Sequence, residues 1–134
     1  MSEWKAEAGD AFFCQAGPKE HLFVVLFDPD TYSSEGYGKR LCIVSVNFTS
    51  VTSEKKIDPA CIIEVGEHSF IQHQSYVLYE RIQIMDHEHV CKCVNTGVYR
   101  PAAKVSISLL NRIISGIQES SATPRKYKKL FKKE

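Results

Sequence analysis

The sequence has no apolar run approaching the roughly 20 residues that cross a bilayer. Its N-terminus alternates charged and small residues and lacks the apolar stretch of a signal peptide. It also lacks the polar bias that prevents a core from forming, since 43% of its residues are hydrophobic and 25% are charged. We therefore expect a folded cytoplasmic protein without a membrane partner, and its 134 residues predict one domain.

The sequence also lacks the even number of cysteines that a full set of disulfides requires. Free cysteine packs like a small hydrophobe, so an odd number of cysteines in apolar stretches favours buried, reduced thiols over a disulfide framework. The five cysteines are Cys14, Cys42, Cys61, Cys91 and Cys93.

Short aromatic and β-branched runs between turn residues predict a strand-rich chain. The predicted strands cover residues 11–15, 21–27, 40–49, 57–65, 75–85 and 90–99. The last two are expected to form a hairpin through 86–89, and 30–39 is expected to be a surface loop. Because helices do not alternate with these strands, the pattern favours a mainly β fold, either a curled antiparallel sheet or a small barrel.

One amphipathic helix is predicted after the strands, because isoleucine and leucine recur three and four residues apart from Ile107 to Ile117. The domain is expected to span 1–124, followed by a mobile or partly helical tail over 125–134. Six of those ten tail residues are Lys or Arg, although the net charge of the whole chain is only +1. With Tyr127 and Phe131 among these cations, the tail predicts contact with RNA or with an acidic partner. The alternative is a solubilising tail.

The segment 66–76 concentrates proton-carrying side chains between two predicted strands. His68, His73, Ser75 and Tyr76 all lie in it. Histidine can both accept and donate a proton near neutral pH, so two histidines on one loop are suited to general acid and base catalysis. The alternative is that they hydrogen-bond to the strand ends.

A second cluster places His87, His89, Cys91 and Cys93 two residues apart, on one face of a predicted strand. Four ligands along one extended strand cannot surround a zinc ion tetrahedrally, because alternate side chains stand roughly 6–7 Å apart. We therefore predict a strand edge with buried thiols and exposed histidines, and no metal or other cofactor.

The order of these features resembles the MazF/PemK family of plasmid-maintenance toxins over residues 9–118. A Gly9-Asp10 opening, a hydrophobic second strand at 21–26, a central strand ending in Thr49-Ser50 and a closing helix follow in the same order. The resemblance implies an SH3-like barrel that cleaves single-stranded RNA without metal. It also implies a homodimer that is neutralised by a separate antitoxin protein.

The resemblance also suggests site residues. Thr49 matches the family's threonine, but the usual Arg-Pro pair at the start of the second strand is here His21 followed by Leu22. Either His21 acts as acid or base while Arg81 or Lys19 supplies positive charge, or the activity is lost or altered. The predicted catalytic residues are His21, Thr49, His68, His73, Ser75 and Arg81. The predicted RNA-binding residues are Lys19, Arg125, Lys126, Lys128 and Lys129.

Two other functions stay open on the sequence. A binding module would hold nucleic acid or a protein partner without catalysis, as the missing arginine and the basic tail suggest. A metal-dependent hydrolase using the histidines is the least favoured function.

Overall fold

The computed structural model of the protein describes residues 3–16, 19–53 and 56–132. Within these ranges the chain forms eight strands and three α-helices. The strands are β1 (Ala11–Ala16), β2 (Lys19–Val25), β3 (Asp30–Thr31), β4 (Leu41–Ser50), β5 (Ile62–Ile63), β6 (Ser75–Val77), β7 (Gln83–Asp86) and β8 (Arg100–Ala102). The helices are α1 (His87–Asn95), α2 (Ile107–Glu119) and α3 (Arg125–Leu130). No helix among the described residues is long and apolar enough to cross a bilayer.

The strands form one antiparallel sheet in the order β5-β6-β4-β2-β1-β8, with β3 and β7 also paired to β4. The two ends of this order do not meet, so the described strands make an open sheet and not a closed barrel. The predicted mainly β class is confirmed. The predicted C-terminal amphipathic helix is also confirmed, as α2.

Strand β4 has different partners along its two edges. One edge pairs with β2 only as far as Asn47, opposite Phe23, whereas the other edge pairs first with β7 and then, over its last three residues, with β6. Thr49 therefore lies opposite Tyr76 on β6, after the pairing with β2 has ended. The sheet splits between β2 and β4 at this point.

Apolar side chains pack on both faces of the sheet, because successive strand residues point to opposite faces. On one face Val24 and Val46 belong to a cluster that includes Ile113 of α2. On the other face Val25 and Ile43 pack with Val90 and Val94 of α1. Each face is thus covered in part by one helix.

The predicted hairpin between 75–85 and 90–99 is wrong. Residues 87–95 are helix α1, and β7 pairs with β4. The Asp86 carboxylate caps the helix by accepting a hydrogen bond from the His89 amide at 2.9 Å. Val90 and Val94, four residues apart, are the helical signal that the alternation of histidines and cysteines obscured.

Two other predicted strands are shorter than expected. Only 62–63 of the segment 57–65 is strand, and 75–85 divides into β6, a 3₁₀ turn at Tyr79–Arg81 and β7. The turn is fixed by Tyr79, whose buried hydroxyl donates to the Ile113 carbonyl at 2.6 Å. A contact to α2, far along the chain, therefore interrupts the predicted strand.

The basic segment is helical where it is described. Phe131, the C-cap residue of α3, contacts the rings of Phe27 and Tyr32, with centroid distances of 5.3 and 6.1 Å. Tyr127 and Leu130 also pack against the larger core cluster. The segment through Phe131 packs on the domain, so of the two expected forms, a mobile or a partly helical tail, the structure has the partly helical one there. Residues 133–134 lie outside the described part.

Candidate functional site

Two clefts meet where the sheet splits, and both are lined by His21 and Thr49. The larger, of about 650 Å³, lies on the face of the sheet, and we call it the face cleft. It is also lined by Phe23, Asn47, Lys56, Tyr76, Arg81 and Gln83. The smaller, of about 370 Å³, lies between β2 and the segment 70–75, and we call it the edge cleft. It is also lined by Lys19, Glu20, Phe70, Gln72, His73 and Ser75.

Strand alternation explains why the face cleft is polar. His21 and Phe23 share one face of β2, and Asn47 and Thr49 share the corresponding face of β4, since Phe23 lies opposite Asn47. Tyr76 continues the same face into β6 opposite Thr49. An imidazole, an amide and two hydroxyl groups therefore line one concave surface.

Two exposed cations border the face cleft. Lys56 and Arg81 line it together with Glu80. The Tyr76 hydroxyl donates to the Lys56 carbonyl at 3.3 Å, which ties the Lys56 backbone to the sheet. These cations can attract an anionic group such as a phosphate to the cleft that contains His21.

The edge cleft contains His73 and Ser75. The Ser75 side chain is 5% exposed, and its hydroxyl donates to the His73 carbonyl at 2.9 Å. Ser75 thus holds the backbone of a residue whose own side chain is exposed. His73 is the more accessible of the two, and Ser75 positions it.

His68 lines neither cleft. It is 6% exposed, and both ring nitrogens bond to the backbone: Nε2 lies 2.6 Å from the Ala103 carbonyl oxygen, and Nδ1 accepts from the Phe70 amide at 3.0 Å. A bond to a carbonyl requires Nε2 to be the protonated nitrogen. His68 therefore corresponds to the structural alternative, a histidine that fixes the turn in which it lies.

The predicted RNA-binding residues divide between two places. Lys19 lines the edge cleft. Arg125, Lys126, Lys128 and Lys129 lie on α3, which packs beside Phe27. None of these four cations lines either cleft.

The histidines and cysteines near residue 90 pair along helix α1 and not along a strand. His87 Nε2 lies 3.0 Å from the Lys5 carbonyl oxygen and 3.4 Å from Cys91 Sγ, and Cys93 Sγ lies 3.6 Å from His89 Nε2. Burial raises the pKa of the Cys91 thiol, and the Glu3 and Asp10 carboxylates add to this, which disfavours the thiolate. No group of three or more potential ligands among the described residues is placed to hold a metal ion.

Asn47, Lys56 and Gln83 line the face cleft but were not among the predicted site residues. The polar alternation Ser45, Asn47, Thr49 in an otherwise apolar strand was a signal for the first of these. Lys56 and Gln83 carry no such signal, because their place in the face cleft depends on how β4, β6 and β7 pair.

Comparison with known proteins does not identify the family. No protein-family profile and no curated protein matches the sequence. One similar solved structure is described as an endoribonuclease in complex with its cognate antitoxin from Mycobacterial species. It is 13% identical, the match covers 88% of this chain and 96% of that chain, and the TM-score is 0.49. Values this low establish no shared activity.

Proposed function

We propose that this protein is an endoribonuclease that cleaves single-stranded RNA by general acid and base catalysis where the two clefts meet. The observation that supports this is the position of His21 and Thr49 in both clefts, with the cations Lys56 and Arg81 in one and His73 in the other. Phosphodiester cleavage at a ribose needs a base, an acid and positive charge near one phosphate. The two clefts bring those groups together.

In the proposed reaction, His21 takes the proton from a ribose 2′-hydroxyl, and the resulting oxygen attacks the adjacent phosphorus. The phosphorane is stabilised by Arg81 and Lys56 and by a hydrogen bond from Thr49. His73 then protonates the departing 5′-oxygen as its bond to phosphorus breaks. The products are a 2′,3′-cyclic phosphate and a 5′-hydroxyl, and no metal is needed.

The test is incubation of purified protein with a mixed RNA pool in a chelator, followed by analysis of the fragment ends. We expect 5′-hydroxyl and cyclic phosphate ends, and His21→Ala should slow cleavage about 10²- to 10⁴-fold. His89→Ala is the matched control, because His89 is an exposed histidine on α1 outside both clefts. Absence of cleavage, or equal cleavage by His21→Ala and the parent, would contradict the proposal.

A non-catalytic binding module is the second candidate, and the exposed cations of α3 favour it. They line neither cleft, so they can hold a polyanion without contributing to a reaction. Salt-sensitive RNA retention without cleavage products, lost in Lys126→Glu/Lys129→Glu, would support it. Substitution is the right perturbation, because deletion of α3 would also remove the packing of Phe131.

The resemblance in the sequence extends the proposal to a cytoplasmic homodimer controlled by an antitoxin protein. Light scattering on the purified chain tests the dimer. Co-expression with the product of the neighbouring reading frame tests whether an antitoxin controls the protein. An antitoxin should abolish RNA cleavage and co-purify with the chain.

A further inference from the structure

Phe70 is an aromatic side chain left partly open at the edge cleft. It is 40% exposed, whereas Phe48, the other phenylalanine lining that cleft, is 6% exposed. Phe70 also lines an adjoining pocket of about 300 Å³ that contains Arg100. Its ring thus lies between two cavities, one of which contains His21.

The Phe70 ring is held in place from two directions. It packs against the Phe13 ring of β1 in an edge contact, with a centroid distance of 4.5 Å and an interplanar angle of 64°. Its amide donates to His68 Nδ1 at 3.0 Å, and His68 Nε2 is 2.6 Å from the Ala103 carbonyl oxygen. A partly exposed ring fixed in this way loses little conformational freedom when it stacks on a flat ligand.

Positive charge lies in both cavities that Phe70 borders. Lys19 lines the edge cleft, and Arg100 lines the adjoining pocket. The Arg100 guanidinium lies 4.1 Å from the centroid of the Phe13 ring and pairs with Glu20 at 2.6 Å. Both partners of this pair are exposed, so the pair is weak and leaves Arg100 able to contact a phosphate.

We propose that Phe70 is the stacking surface for one unpaired base of the RNA substrate, next to the phosphate that is cleaved at His21. This rests on the proposed function, since it places RNA in the edge cleft. Every nucleobase has a face that can stack on an aromatic ring, whereas a base inside a duplex is covered on both faces. Phe70 therefore selects single-stranded over double-stranded RNA, with Lys19 and Arg100 near the flanking phosphates.

The experiment measures binding of a 2′-O-methyl RNA strand, which lacks the attacking hydroxyl and cannot be cleaved. Phe70→Leu keeps an apolar side chain against Phe13 but removes the aromatic face. It should weaken binding about 5- to 150-fold, the range that matches base–aromatic stacking of about 1–3 kcal/mol. Phe70→Tyr should bind as the parent does. The fluorescence of a 2-aminopurine base in the strand should be quenched on binding to the parent and to Phe70→Tyr, but not on binding to Phe70→Leu.

Val98→Ala is the matched surface control, because Val98 is 70% exposed and lies outside both clefts. Thermal unfolding of each variant shows that the fold is retained. If folded Phe70→Leu binds and cleaves RNA as the parent does, the stacking proposal is wrong while the proposed function stands. If the parent binds the strand through Phe70 but cleaves no RNA, the proposed function is wrong while the stacking proposal stands. A parent that neither binds nor cleaves would overturn both.

Discussion

His21 and Thr49 line the same two clefts, one from β2 and the other from β4. Phe23 and Asn47 form the last pair between these two strands. His21 and Thr49 each lie two residues beyond that pair. Beyond that pair β2 and β4 are no longer paired with each other, while the other edge of β4 pairs with β6. The candidate site therefore lies where two neighbouring strands separate.

Replacement of Arg81 tests the charge in the face cleft. Arg81→Ala should slow single-turnover RNA cleavage by about 10- to 10³-fold, because the phosphorane would lose a cation that stabilises it. Arg40→Ala is the matched control, since Arg40 is an exposed arginine just before β4, at the end remote from Thr49. A similar slowing in both variants would show that only general charge matters.

Substitutions in α3 should separate its packing from its charge. Phe131→Ala should lower the free energy of unfolding by about 1–2 kcal/mol, because its ring packs against Phe27 and Tyr32. Lys129→Ala, on the exposed side of the same helix, should change it by less than about 0.5 kcal/mol. Chemical denaturation measures both values. Equal stability of the two variants would mean that α3 is not docked in solution.

Gly116 should be intolerant of alanine even though it lies inside helix α2. A Cβ atom there would lie 2.0 Å from the Tyr79 hydroxyl oxygen and 2.6 Å from the ring carbon that carries it. In most helices Gly→Ala stabilises by about 1 kcal/mol, but overpacking here should destabilise by about 1–3 kcal/mol. The adjacent exposed residue provides the control, since Ser115→Ala should be neutral or slightly stabilising. A stabilising Gly116→Ala would contradict the Tyr79 contact.

The ion pair between Glu67 and Arg112 should make part of the free energy of unfolding depend on pH. Burial works to raise the pKa of Glu67, but the Glu64 amide and the Arg112 guanidinium together hold it below the ordinary glutamate value. When folding lowers the pKa of a carboxyl group, the ionised group stabilises the protein at pH values above its unfolded-state pKa. This stabilisation is lost as pH falls through the folded-state pKa. Both side chains are partly exposed, so the contribution is at most about 1 kcal/mol.

Glu67→Gln measures that contribution, because glutamine resembles the protonated carboxyl group. The variant should be less stable than the parent at pH 7, and the difference should be smaller at pH 3. Urea denaturation at both pH values gives the comparison. A difference that is the same at pH 7 and pH 3 would show that the charge of Glu67 does not contribute.

The candidate site was predictable in part. His21 and Thr49 were identified at the ends of two strands, and the structure places both in the same two clefts. His68 and His73 look alike in the sequence, yet one is buried between backbone groups and the other is exposed in the edge cleft. That difference depends on the Ala103 carbonyl, which lies 35 residues from His68 along the chain.

Strands β1, β2 and β4 and helix α2 were predictable from local sequence, because alternation and three-to-four-residue spacing are patterns that each element satisfies alone. Three other features depend on the folded protein: the separation of β2 from β4 beyond Asn47, the helix over 87–95 and the packing of Phe131 on Phe27. The physical reason is that these outcomes depend on contacts between segments far apart in the chain. The clefts have the same origin, since they exist only once those contacts have formed.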